Sequence, residues 1–222
     1  MRSSNQKERR EIMKNILCFG DSNTYGESPE GNGRYPRDVR WTGLLQNALG
    51  EKYYVIEAGL NGRTTVWDDP VEAEKNGLKQ LPSFIASNTP LDLLIIMLGS
   101  NDLKVRFHVT PTDIALSLER LVQTAKTIPN YTSDQPFKIL LVSPVPVHEK
   151  TFLGEVFGDR SEDSRRLGTL VEAVARRNSV EFLDMAGYAQ ASVLDGLHFD
   201  KENHKLVAKA MEEKILSILK ES

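Results

Sequence analysis

Five short apolar runs punctuate the chain, at positions 15–19, 54–58, 91–98, 138–143 and 180–184. Each is rich in leucine or β-branched residues and is ended by Gly, Pro, Ser or Asp. Such runs read as strands buried on both faces, since a half-exposed strand would alternate apolar with polar positions. Between them the apolar positions take helical spacing: 40–49 up to Gly50, about 77–86, 112–127 entered through Thr110-Pro111, 161–177, and 203–219.

Strands that alternate with helices build right-handed crossovers and a parallel sheet covered on both faces. The predicted fold class is therefore α/β, a three-layer α/β/α sandwich around a central five-stranded parallel sheet. Ligands bind such sheets beyond the C-terminal ends of the strands. Asp21-Ser22 follow the first run, Asn61-Gly62 the second and Asn101 the third, so the chemically capable residues converge on one edge. The loops 25–39, 63–77, 104–111 and 144–159 are long for a minimal domain and contain no repeat. They are expected to form pocket walls or contact surfaces.

A chain of 222 residues can bury one sizeable core, and a single domain is expected over 14–222. The preceding residues 1–13 are polar, with Lys7, Arg9 and Arg10 but no apolar segment behind them. They read as a frayed leader rather than a secretory signal, and a cytoplasmic protein is expected. No apolar stretch is long enough for a membrane-spanning helix. With 28 Lys+Arg against 31 Asp+Glu and no long run of one sign, the chain carries no electrostatic footprint for nucleic acid or an acidic membrane. The expected partner is a small molecule or another subunit. Cys18, the only cysteine, lies in an apolar run and reads as a small buried side chain.

In Gly20-Asp21-Ser22, the glycine allows a tight exit from the strand and Ser22 stands near a helix start, where free N–H groups can receive an oxyanion. Taken alone, the tripeptide reads more readily as a helix cap. In Asp195-Gly196-Leu197-His198, a tight turn could set the carboxylate against one imidazole nitrogen and leave the other free as a base. A hydroxyl needs such a base, an orienting acid and oxyanion donors before it attacks an ester at neutral pH. The donors expected here are the Ser22 and Gly62 backbone N–H groups and the Asn101 side-chain amide, with Asp102 as a loop brace. Trp41, Trp67, Tyr25 and Phe152 are candidate pocket or subunit-contact residues, although aromatic residues also serve as plain core. His108, His148 and His204 lack zinc-site spacing and are read as structural or exposed, with His204 riding on the last helix.

Gly20-Asp21-Ser22, Gly62, Gly99-Ser100-Asn101-Asp102 and Asp195-Gly196-Leu197-His198, in this order across nearly the whole chain, resemble the blocks of the SGNH (GDSL-type) hydrolase superfamily. Asp38-Val39-Arg40-Trp41-Thr42-Gly43, Gly62-Arg63-Thr64-Thr65, Asp68-Asp69-Pro70 and the run from Pro90 to Gly99 resemble its bacterial arylesterase/acyltransferase branch, including perhydrolase-type enzymes. The resemblance implies a flavodoxin-like fold, with Ser22 as nucleophile, His198 as base and Asp195 orienting it. It also implies a small-molecule acyl ester as substrate, transfer to alcohols or peroxide beside hydrolysis, and a homo-oligomer, commonly an octamer. Asn23 and Tyr25 depart from the family pattern, where Leu and Trp are commoner, and this bears on pocket polarity and on acceptors other than water.

Acyl chemistry of this kind requires no metal or organic cofactor. The triad leaves the alcohol or thiol half of the substrate open, so a carbohydrate acetylesterase or a small thioesterase on the same fold is the nearest alternative. A non-catalytic α/β binding module is a rival of another class. Against it, the chain has no phosphate-loop motif and no Gly-x-Gly-x-x-Gly after the first strand. An α/β-hydrolase elbow is also disfavoured, because Ser22 lies too early and outside a Gly-x-Ser-x-Gly pattern.

Overall fold

The computed structural model describes residues 13–148 and 154–220. The expected leader, apart from Met13, lies outside the described residues, as does Phe152. Five parallel strands, β1 (Lys14–Gly20), β2 (Tyr53–Gly59), β3 (Leu93–Met97), β4 (Lys138–Ser143) and β5 (Glu181–Asp184), form one sheet in the order β2-β1-β3-β4-β5. The helices are α1 (Ser22–Tyr25), α2 (Trp41–Leu49), α3 (Gly77–Asn88), α4 (Pro111–Lys126), α5 (Gly154–Phe157), α6 (Ser161–Arg177) and α7 (Lys201–Lys220).

Period-2 alternation within each strand explains why the runs are apolar throughout. Leu17, Phe19, Leu94, Ile96 and Leu141 face one core, shared with Leu81 and Ile85 of α3, Leu118 of α4 and Val171 of α6. Ile16, Cys18, Ile95, Leu140 and Val142 face the other, with Trp41 and Leu45 of α2 and Met211 and Ile215 of α7. Both faces are dry along the central strands β1, β3 and β4, whereas the edge strands β2 and β5 keep exposed positions at Tyr54 and Glu181, because each has a neighbour on one side only. Burial also pushes the Cys18 thiol far above its ordinary range, which leaves it an inert core side chain.

Each expected strand and helix is present, with boundaries that move by a few residues. The third strand is shorter than its apolar run at both ends, and Gly99 turns the backbone at φ +121° directly after Leu98. Helix α4 starts where Thr110-Pro111 predicts. Thr110 accepts from the Asp113 N–H, and Asp113 in turn accepts the Thr110 N–H, a reciprocal cap. The strand order reverses direction between β1 and β3, which places the crevice of a 2-1-3-4-5 sheet at the ends of those two strands.

Candidate active site

Ser22 leaves the sheet at the C-terminal end of β1. A Cβ on Gly20 would stand 2.1 Å from Thr24 Oγ1, so only glycine allows the first turn of α1 to fold back on the strand. Asp21 caps that turn, its Oδ1 accepting the Asn23 N–H at 3.0 Å. The cap reading and the nucleophile reading of Gly20-Asp21-Ser22 are thus compatible: Asp21 caps, and Ser22 is the first helical residue. Asp21 is fully buried, and burial raises its pKa to about 6 against the pull of the Asn23 N–H, His198 and Arg63.

The structure brings Ser22, His198 and Asp195 together across 176 residues of sequence. His198 Nε2 lies 3.0 Å from Ser22 Oγ, and His198 Nδ1 lies 2.6 Å from Asp195 Oδ2. Asp195 Oδ1 accepts the N–H groups of Leu197 at 2.9 Å and His198 at 3.0 Å. Burial alone would raise the Asp195 pKa, but the His198 ring and these two N–H donors outweigh it and hold the carboxyl below its ordinary value. An ionised Asp195 keeps the proton on Nδ1 and leaves Nε2 free to accept from the hydroxyl.

The loop carrying His198 is tied down residue by residue. Ser192 N–H donates to His198 O at 2.8 Å, Gly196 N–H to Ser192 O at 2.7 Å, and His148 N–H to Gly196 O at 2.9 Å. From below, Asn23 Nδ2 donates to Leu197 O at 3.1 Å, while Asn23 Oδ1 accepts the Phe199 N–H at 2.9 Å. Asn23 therefore does not set the polarity of a pocket, as its departure from the family pattern suggested. It is 4% exposed, and both ends of its amide are spent on the loop. Trp41 is core as well, its Nε1–H donating to Asn23 O at 3.0 Å.

Gly62 and Asn101 follow β2 and β3, the two neighbours of β1, so they flank Ser22 on the same sheet edge. Gly62 has φ +76°, a left-handed turn that suits glycine. Asn101 opens a short 3₁₀ turn, Asn101–Leu103, and is buried there. Asp102 is the brace expected of it: it accepts the Thr65 N–H at 3.0 Å and the Thr65 hydroxyl, joining the two loops. Burial lifts its pKa to about 6.

The sequence reading missed Arg63. Its Nη1 donates to Gly20 O at 2.6 Å and to Ala58 O, and its guanidinium lies 4.1 Å over the Phe19 ring. It thereby ties together carbonyls at the ends of β1 and β2, and burial lowers its pKa to about 10. An arginine after Asn-Gly carries no local signal of burial. Further along the same loop, Glu72 and Lys75 crowd Gly62: a Cβ there would meet Glu72 Oε2 at 2.8 Å. Lys104 and Arg106 bind Glu72 at 3.0 and 2.9 Å, so two of the long loops form one charged rim.

Trp67 and Tyr25 are part-buried, with the Arg34 guanidinium 4.3 Å over the Tyr25 ring. His204 is buried within α7, where desolvation lowers its pKa to about 4. Among the described residues no group of three or more His, Cys, Asp or Glu side chains is arranged to hold a metal ion, and no helix is long and apolar enough to cross a membrane.

The model of the GDSL-like lipase/acylhydrolase family matches residues 18–206. Among solved structures, the native aryl esterase of M. smegmatis is 39% identical with a TM-score of 0.88, covering 93% of this chain and 100% of that one. Est24, a carbohydrate acetylesterase from Sinorhizobium meliloti, is 38% identical with a TM-score of 0.88 over the same shares. A member of the lipolytic G-D-S-L family from Veillonella parvula, 15% identical with a TM-score of 0.65 over 90% of this chain and 97% of that one, shares the fold. No curated protein matches the chain.

Proposed function

Because the chain belongs to the GDSL-like lipase/acylhydrolase family and is an ester-hydrolysing enzyme, we propose that it cleaves short-chain acyl esters through an acyl-serine intermediate on Ser22. The observation that carries this reading is the continuous hydrogen-bond chain from the Ser22 hydroxyl through His198 to Asp195. His198 Nε2 takes the Ser22 proton as Oγ attacks the ester carbonyl. The oxyanion rests on the Ser22 and Gly62 N–H groups and the Asn101 amide. His198 returns the proton to the departing alcohol. Water then attacks the acyl-serine with His198 again as base, and an alcohol or peroxide can take the place of water.

Two features favour a hydroxyl-rich alcohol, as in a carbohydrate acetylesterase, for the leaving half. They are the likeness to Est24 and the charged rim of Glu72, Lys75 and Arg106 beside Gly62, anchored from beneath by the buried Lys104. We read residues 14–222 as one hydrolase domain of a cytoplasmic homo-oligomer.

The test follows p-nitrophenol release from acetate, butyrate and octanoate esters, and acetate release from acetylated sugars, by wild type, Ser22→Ala and His198→Ala. Turnover of the acetate ester by wild type alone, with all three proteins folded, is expected. An inert wild type, or an active Ser22→Ala, overturns the proposal. Added alcohol that yields a new ester establishes transfer, and sugar esters hydrolysed faster than aryl acetates favour the second reading.

A further inference from the structure

A base on a loop is only as well placed as the two peptide planes on either side of its Cα. In the plane joining Leu197 to His198, the N–H donates to Asp195 Oδ1 and the C=O accepts from Asn23 Nδ2. In the plane joining His198 to Phe199, the C=O accepts from the Ser192 N–H and the N–H donates to Asn23 Oδ1. Each plane is therefore held at both ends, and one side chain supplies a partner to both.

That side chain belongs to the residue after Ser22. Its own backbone is fixed on both sides, the N–H by Asp21 Oδ1 and the C=O by Trp41 Nε1–H. A rigid path thus runs from Ser22 through one peptide bond and one amide to both flanks of His198.

We infer that Asn23 is a positioning residue, a double amide clamp that sets the 3.0 Å approach of His198 Nε2 to Ser22 Oγ. The inference rests on the esterase reading above. The Asn23 amide bonds to the backbone on either side of His198 rather than to the reacting hydroxyl or the ring, so its effect passes through the placement of His198. A misplacement of the base on the ångström scale costs roughly a hundredfold in rate. Loss of the clamp is therefore expected to lower kcat and leave KM unchanged.

Three measurements separate positioning from simple support of the fold. With p-nitrophenyl acetate, Asn23→Ala is expected to lose about ten- to a hundredfold in kcat, with KM within about twofold of wild type. In a His198→Ala background the same change is expected to cost nothing further, since no base remains to be placed. The low-field proton resonance of His198 Nδ1–H, shared with Asp195, is expected to shift or broaden in Asn23→Ala. Should Asn23→Ala fail to fold, Asn23→Asp keeps the volume and the acceptor for Phe199 but loses the donor to Leu197 O, and the same three readouts apply. An unchanged kcat, or an equal loss with and without His198, overturns the clamp while the esterase reading stands. If wild type hydrolyses no ester, that reading falls, and the resonance alone decides the clamp: unchanged in the variant, it refutes it.

Discussion

Asp102, on the turn after β3, grips Thr65, on the loop after β2, through both the Thr65 N–H and its hydroxyl. The grip joins the loop that carries Gly62 to the turn that begins with Asn101, so two of the proposed oxyanion donors move as one unit. Thr65→Val removes the hydroxyl donor and leaves a buried carboxylate short of a partner. The expected loss is about 1–3 kcal/mol in urea unfolding, with a fall in turnover. Unfolding identical to wild type would show that the brace contributes nothing.

The same carboxylate makes a pH prediction. Burial raises the folded pKa of Asp102 to about 6, from an ordinary value near 3.8. The folded state therefore holds a proton that the unfolded chain releases first, and stability falls as pH rises from about 4 through about 6. Asp102→Asn carries no such proton. Its stability relative to wild type is expected to improve steadily between pH 4 and pH 7, as read by thermal melts across that range. A difference independent of pH would remove Asp102 as the cause.

Asn101 carries the oxyanion part of the proposal. Asn101→Ala deletes one donor from a site that the fold already supports through Asp102. Turnover is expected to drop by about two to three powers of ten, with the melting temperature near that of wild type. An unchanged rate on the acetate ester would take Asn101 out of the site.

Arg63 joins the ends of β1 and β2 through Gly20 O and Ala58 O. Arg63→Met keeps much of the packing on Phe19 but takes the guanidinium donor from both carbonyls, leaving Gly20 O with the Leu60 N–H. A destabilisation of about 2–3 kcal/mol is expected in denaturant titration, since hydrogen bonds from a charged donor are among the stronger ones. Stability within error of wild type would reduce Arg63 to an accessory of the core.

The central strands were legible because burial on both faces leaves no polar position in a run such as Leu93–Met97. The helices showed through spacing and caps, Thr110-Pro111 above all. Ser22, Gly62 and Asn101 were legible for a related reason: each follows a strand, and in a parallel sheet those ends share one edge. Asn23 and Arg63 were not. A polar residue beside a motif looks the same whether it faces a pocket or a buried loop, and its partners, Leu197 O and Ala58 O, are backbone atoms that leave no mark on residue type.

By itself, then, the sequence determined the alternation of strand and helix, the apolar faces and the residue types suited to ester hydrolysis. Those properties depend on local periodicity and on chemistry carried by single side chains. The tertiary structure alone decided the order β2-β1-β3-β4-β5, the 3.0 Å meeting of Ser22 with His198 and the burial that lifts the Asp21 and Asp102 pKa values. Each depends on the packing of segments far apart in the chain, and neither spacing nor composition encodes a distance between them.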